Sequence, residues 1–202
     1  MEELFSYCTA RLDELNRRYH DREWGFPTHD DRQIYEFLFL ESMQAGLSWT
    51  LMLKKREIFR SCFDGFDFEK IARYTQEDID RIMNTEGMIR SVGKISAMIN
   101  NAECFIRTRE QFGSFDSYIW SFTDHKTVLY RGHEKGLIPS KNSLSEKISR
   151  DLKKRGFKYV GPVIVYSFLQ ALGMINDHVR SCPCYKRIND GNPTIELDND
   201  DM

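Results

Sequence analysis

The chain has 202 residues, 41% hydrophobic and 13% aromatic, with 30% charged residues and a formal net charge of -2. That length holds one generous domain or two small lobes sharing a core, and the apolar fraction excludes a chain too polar to fold. The near-neutral charge excludes an indiscriminate nucleic-acid binder, whose domain is usually basic, but leaves room for one basic face.

The first residues, Met1-Glu2-Glu3-Leu4, lack the basic-then-apolar build of a signal peptide. No apolar run approaches the roughly 20 residues of a membrane span. These features read as a cytoplasmic protein with no membrane partner. The cysteines are Cys8, Cys62, Cys104, Cys182 and Cys184. An odd number in such a compartment points to free thiols or metal ligands, not to a disulfide framework. Residues 19–25, Tyr19-His20-Asp21-Arg22-Glu23-Trp24-Gly25, are dense in polar and aromatic groups that apolar periodicity does not explain.

Across residues 31–46, Ile34, Phe37, Leu38 and Ala45 recur as one helix face. Glu41 follows Leu38 and Phe37 by three and four residues, so it shares that face. Gly46 breaks the helix, within Gln44-Ala45-Gly46-Leu47-Ser48-Trp49. Lys54-Lys55-Arg56 forms a first cluster of cations. Thr75 and Asp78 resemble a capping box that opens a helix through Ile79 and Ile82. A long helix is expected over about 91–111, and Val128-Leu129-Tyr130 reads as a short strand.

Ser143 begins a helix through Leu144, Ile148 and Leu152 to Lys154, and Gly156 stops it. Phe157-Lys158-Tyr159-Val160-Gly161 follows, with Pro162 placed for a first helical turn. The next helix runs through Val163, Tyr166, Phe168 and Leu172 to about Gly173. The end of the chain, including Asp198-Asn199-Asp200-Asp201, reads as an acidic, disordered tail over 191–202 behind a single domain at 1–190. No βαβ alternation and no series of β-hairpins is present, so the fold class is all-α.

Three groupings could carry chemistry. The glycine-bounded hairpin at 143–173 lets backbone approach a phosphate, and the free N–H groups opening its second helix point at that anion. Lys153, Lys154, Arg155 and Lys158 would add positive charge; an ordinary helical hairpin with a solvated basic turn accounts for the same pattern. Glu41 and Trp49 could form a receptor for a flat cationic ring, by charge, hydrogen bonding and stacking. The alternatives are a rim position or arginine partner for Glu41, and core packing for Trp49. His178-x3-Cys182 puts two ligand types on one helical face. With Cys8 and His20 they make a Cys2His2 set able to hold zinc tetrahedrally. All four ligands are protein groups, so such a site is structural and not catalytic. No G-x-S-x-G, P-loop or dinucleotide fingerprint is present.

Taken together the chain resembles the type I 3-methyladenine DNA glycosylases. The matching segments include YHDREWGFP at 19–27, LESMQAGLSW at 40–49 and LKKREIFRSCFDGFD at 53–67. GMIRSVGKISAMINNA at 87–102, IWSF at 119–122, LKKRGFKYVGPVIVYSFLQALG at 152–173 and NDHVRSCPCY at 176–185 complete them, in the family's order. The resemblance implies a helix-hairpin-helix glycosylase fold, two helical lobes with a DNA cleft between them. It implies that Glu41 is the pocket acid, in recognition and in catalysis, that Trp49 stacks on the base and that Tyr19 and Trp24 line the pocket. Gly46 and Leu47 match the turn that fills the gap left by a flipped nucleotide; in the glycine-bounded hairpin, Lys154, Gly156, Lys158 and Gly161 are expected to contact the DNA. His20, His178 and Cys182 match three of four zinc ligands.

The N-terminus departs from the family pattern. Cys8 stands one residue out of register and is followed by Thr9-Ala10 without a tryptophan, and Asn16 occupies a position where a tyrosine is usual. The implied activity is base-excision repair of double-stranded alkylated DNA by a monomer. The enzyme flips the nucleotide, releases 3-methyladenine and leaves an abasic site. No lysine nucleophile is assigned, so strand cleavage is not expected, and Asp177 after the hairpin is read as packing or capping. Two alternatives are a non-catalytic binder of damaged DNA and a zinc-stapled helical interaction protein.

Overall fold

A computed structural model of the chain describes Cys8 and residues 12–198. Seven helices come first, and most open on a side chain that accepts a backbone N–H of the first turn. Asp13 does so for α1 (Glu14–Arg22), Asp30 for α2 (Asp31–Gln44), Ser48 for α3 (Trp49–Cys62) and Asp67 for α4 (Phe68–Ile71). α5 (Gln76–Asn84) opens where the Asp78 carboxylate accepts from Thr75 N at 3.0 Å, in keeping with the box pattern. Ser91 caps α6 (Val92–Phe112) and Ser114 caps α7 (Phe115–Trp120).

α2 organises the rest. Every residue from Ile34 to Met43 is buried, so the helix is enclosed all round and the one-face stripe read from the sequence is too narrow. It packs against α3, α6, α7 and α9 (Pro162–Ala171). Two charges inside this helix are therefore conspicuous, Glu36 and Glu41. α8 (Ser143–Lys154) pairs with α9 as helix, tight turn, helix, and α10 (Pro183–Gly191) closes the helical part. Among the described residues no helix is long and apolar enough to cross a membrane.

The chain is mostly helical, but the all-α expectation needs a correction. β1 (Thr127–Tyr130) pairs in parallel with β2 (Thr194–Leu197), in the register Thr127↔Thr194 to Tyr130↔Leu197. β2 lies inside the stretch expected to be a disordered tail. The backbone groups of β1 need partners, and the alternating Thr194-Ile195-Glu196-Leu197 supplies them while turning Ile195 and Leu197 onto the core. Asn199, Asp200 and Asp201 of that tail, and Met1–Leu4 with Thr9 and Ala10 at the other end, lie outside the described residues.

Gly173 lets the end of α9 meet the segment after Trp24. Its φ is +72°, and a Cβ there would sit 2.4 Å from Pro27 N and 2.5 Å from Phe26 C. Backbone bonds Gly25 N→Gln170 O (3.0 Å) and Thr28 N→Leu172 O (3.1 Å) seal the same junction. Gly173→Ala adds both strained backbone and a clash with main chain that cannot move aside. It should lower unfolding free energy by about 2–4 kcal/mol in urea denaturation; a loss under about 0.5 kcal/mol would mean the junction is loose.

Candidate functional site

A cavity of about 270 Å³ lies where α1, the end of α2, the start of α3 and α9 converge. Its aromatic wall is Tyr19, Trp24 and Trp49, with the Tyr19 and Trp49 rings 5.0 Å apart and tilted by 52°. Its polar wall is Glu41, Gln44, Ser167 and Gln170, and Ile138 closes one side. Glu41 and Trp49, expected to share a pocket, both line this cavity. Asn16, at the position of the family's usual tyrosine, is not in the lining. It donates from Nδ2 to Thr50 Oγ1 at 3.0 Å, tying α1 to the first turn of α3 beside Trp49.

The two carboxylates of α2 have opposite fates. Glu36 Oε1 accepts from Arg56 Nε (2.6 Å) and Arg60 Nη2 (2.8 Å), so its burial is compensated. Glu41 is 3% exposed, and its Oε2 has no hydrogen-bond partner. Burial pushes its carboxyl up from the ordinary 4.5 to about 8. The arginine partner that the sequence left open for Glu41 belongs to Glu36 instead. Trp49 Nε1 is likewise buried without a partner. A cavity with an orphaned acid, an orphaned indole N–H and flat aromatic walls can receive a planar, cationic, hydrogen-bonding ring.

The turn after α2 is held from outside. Gly46 takes a φ of +77°, and Gly46 and Leu47 are exposed. Lys94 Nζ reaches from the first turn of α6 to donate to Met43 O and Ala45 O, both at 2.7 Å. A lysine on the open carbonyls of a helix C-terminus satisfies and complements them, and burial lowers its pKa. Sequence reading missed Lys94, because its partner carbonyls lie some 50 residues upstream.

The hairpin between α8 and α9 is clamped by α6. Asn101 Nδ2 donates to Lys158 O at 3.0 Å and its Oδ1 accepts from Lys158 N at 2.8 Å, while Asn100 Nδ2 donates to Gly156 O at 2.9 Å. Lys154 and Lys158 project into solvent. Gly161 begins α9 with no side-chain cap, leaving its first N–H groups to outside partners. Not every cation counted from sequence is free. Arg155 is held by Asp151 at 2.6 Å and lies over the Tyr118 ring at 4.6 Å, and Arg56 bridges Glu23 and Glu36.

Cys8, His20, His178 and Cys182 converge, with all four ligand atoms within 4.8 Å of one another. Cys8 Sγ lies 3.3 Å from His178 Nδ1 and 3.4 Å from His20 Nε2; Cys182 Sγ lies 3.5 Å and 3.7 Å from the same nitrogens. Tetrahedral zinc with ordinary bond lengths needs sulfur and nitrogen about 3.6 Å apart, so the set fits that ion. The outer nitrogens are engaged as metal-binding imidazoles usually are: His178 Nε2 lies 3.0 Å from Trp24 O, and His20 Nδ1 lies 2.8 Å from Asp21 Oδ1. Burial lowers the His178 pKa to about 4, so the ring is neutral, and the Trp24 carbonyl at Nε2 takes its one N–H and leaves the lone pair on Nδ1. The one-residue offset of Cys8 does not remove it from the set. One expectation is corrected: His178 and Cys182 do not share a helical face. Residues 176–182 are irregular and Cys182 is the N-cap of α10, so a loop, not a helix, brings them together.

Asp177 is 1% exposed and accepts from Tyr166 Oη and Gln170 Nε2, each at 2.7 Å, with His133 Nδ1 at 2.5 Å. It is fully engaged in packing. Sequence reading also missed Gln44, Ile138, Ser167 and Gln170. Ser167 and Gln170 did leave a signal, two polar residues three apart on an otherwise apolar helix.

Residues 8–185 match the model of the methyladenine glycosylase family. The DNA-3-methyladenine glycosylase 1 of Escherichia coli (strain K12) is 44% identical over 173 residues, covering 86% of this chain and 92% of that protein. The DNA-3-methyladenine glycosylase of Haemophilus influenzae is 41% identical over 166 residues, covering 82% and 90%. A solved 3-methyladenine DNA glycosylase I from Staphylococcus aureus, described for its recognition of 3-methyladenine, superimposes with a TM-score of 0.80. It is 36% identical and covers 85% of this chain and 91% of its own.

The Glu41 site makes stability depend on pH. Its folded pKa of about 8 exceeds the ordinary 4.5, so the folded chain holds that proton more tightly. Its penalty is absent below 4.5 and grows as pH rises toward 8, by up to about 1.4 kcal/mol per pH unit. Glu41→Gln should therefore gain stability relative to the unsubstituted chain between pH 5 and pH 8 in urea unfolding. An equal difference at both pH values would show that the acid is not desolvated.

Proposed function

Because the chain belongs to the methyladenine glycosylase family and is a DNA-3-methyladenine glycosylase, we propose that it flips an alkylated nucleotide out of double-stranded DNA into the Glu41–Trp49 cavity. The observation that carries this reading is the buried, unpartnered Glu41 carboxyl among Tyr19, Trp24 and Trp49.

Methylation at N3 gives adenine a positive charge and N–H donors along its amino edge. Entry of that cation favours ionisation of Glu41, whose proton leaves to solvent, and the cation pairs with the resulting carboxylate, while neutral adenine offers no such charge. Trp49 and Tyr19 stack on the purine, and Trp24 bounds it. The C1′–N9 bond then breaks with its electron pair on the base, which leaves as neutral 3-methyladenine and needs no proton. The sugar becomes cationic as the bond breaks, and the Glu41 charge stabilises that development. Water adds to C1′ and loses a proton, leaving an abasic site. The proposed reaction uses no lysine nucleophile and ends at hydrolysis, without strand cleavage.

The DNA is held by the α8–α9 segment acting as a helix-hairpin-helix. The N–H groups at Gly161 and the turn at Gly156 meet a phosphate, with Lys154 and Lys158 beside it. Leu47, on the turn at Gly46 that Lys94 braces, fills the space the flipped nucleotide leaves. Cys8, His20, His178 and Cys182 would hold a structural zinc, which would cross-link the two ends of the fold and supply no chemistry at the base. The protein acts as a monomer in the cytoplasm; its five cysteines, none of them in a disulfide, suit the reducing compartment.

Chromatography of free base released from methylated duplex DNA tests the central step. Glu41→Gln should release 3-methyladenine about 10- to 100-fold more slowly than the unsubstituted protein, the loss of one charge-assisted contact. An undiminished rate would remove Glu41 from the mechanism. Protein purified under reducing conditions should carry one zinc per chain by mass spectrometry, and Cys182→Ser should lose the metal and melt at lower temperature. A metal-free protein of unchanged melting temperature would refute the zinc assignment.

A further inference from the structure

We infer that Gln170 is a specificity-determining residue, its amide oxygen held toward the cavity by Asp177 so that it accepts a hydrogen bond from the C6 amino group of the bound purine. This rests on the reading of the cavity as the base pocket and deepens it. Gln170 lines the cavity from α9, the same helix whose first turn lies at the hairpin. A glutamine amide can face either way unless its surroundings decide. Here they decide.

Gln170 Nε2 lies 2.7 Å from Asp177 Oδ2, and the Tyr166 hydroxyl donates to that same oxygen at 2.7 Å. Burial and the neighbouring Asp177 hold the Tyr166 proton far above the usual tyrosine range, so its hydroxyl remains a donor. A carboxylate oxygen offers lone pairs only. Turning the amide over would set Gln170 Oε1 against Oδ2, acceptor against acceptor, beside a carboxylate that is itself buried. Asp177 cannot swing away to relieve this. Its other oxygen is fixed by His133 Nδ1 at 2.5 Å, and Asp177, His133 and Tyr166 are each no more than 2% exposed. The backbone of Gln170 is pinned as well, its carbonyl accepting from Gly25 N at 3.0 Å.

Gln170 Oε1 itself receives no hydrogen bond from any described residue, and it is not among the fully buried orphaned atoms. It is the free end of a side chain that borders the cavity. With Glu41 ionised by the bound cation, Glu41 and Gln170 give the cavity two acceptors, and among the described residues no lysine or arginine lines it. An amino-purine presents two N–H donors at C6 and suits both. A 6-oxo purine presents a carbonyl there and meets an acceptor. Asp177, Tyr166 and His133 are positioning residues, acting on the base through Gln170.

The test measures release of 3-methyladenine and 3-methylguanine from the same methylated duplex DNA, with kcat/KM for each. Gln170→Leu should lower 3-methyladenine release about tenfold while changing 3-methylguanine release by less than about twofold, the size of one lost hydrogen bond and one relieved clash. Asp177→Asn, whose amide can donate to a turned Gln170, should shift the ratio in the same direction. Should Asp177→Asn fail to fold, Gln170→Leu decides alone. An unchanged ratio, or an equal loss for both bases, overturns the inference while the base pocket stands. Release of neither base by the unsubstituted protein overturns the pocket reading itself, and this inference with it.

Discussion

A single uncompensated carboxyl governs the rest of this structure. Helix α2 buries two glutamates, and the fold treats them differently. Glu36 is met by two guanidinium groups, which is how proteins ordinarily tolerate a buried acid. Glu41, five residues on, is given aromatic rings and a cavity. An acid in that setting raises its own pKa and lowers the stability of the chain that carries it. Such a cost is characteristic of functional sites, where a ligand can supply the missing charge.

Much of the remaining architecture serves to keep that cavity open and shaped. Trp24 is held by the Cys–His cluster behind it: its carbonyl lies at His178 Nε2, and its ring lies 4.6 Å from the His178 ring. The loop that ends α9 presses on the residues after Trp24 through Gly173. Asp177, adjacent in sequence to His178, fixes Gln170 on the opposite wall. The Cys–His cluster and the pocket walls are therefore joined by one or two residues, and a disturbance at the cluster reaches the aromatic wall by direct contact.

The exposed face follows a different logic. Cations that look available in the sequence are divided between structure and surface. Arg56 and Arg155 are engaged by acids of their own fold, while Lys154 and Lys158 remain in solvent beside backbone held open by Asn100 and Asn101. With a net charge of -2, a grip on a polyanion depends on such local placement, on uncapped N–H groups and on a rigid turn.

Helix positions, caps and the hairpin were legible in the sequence because they depend on neighbours three or four residues apart. The Thr75–Asp78 box, the span of α6 and the Gly156 turn all follow from local rules. The acid at Glu41 was legible too, as a charge on an apolar face, and the family motifs pointed to Trp49 beside it. What the sequence left open depends on contacts between distant segments. The partner that decides between Glu36 and Glu41 comes from α3, β2 needs an edge some 65 residues upstream, and Lys94 and Gln170 act on groups that local patterns do not pair with them. The helical face proposed for His178 and Cys182 failed for the same reason: a loop shaped by packing, not helical periodicity, carries them to Cys8 and His20. Local hydrogen bonding is written in short-range order along the chain, whereas whether a buried polar atom finds a partner is settled only when the elements pack.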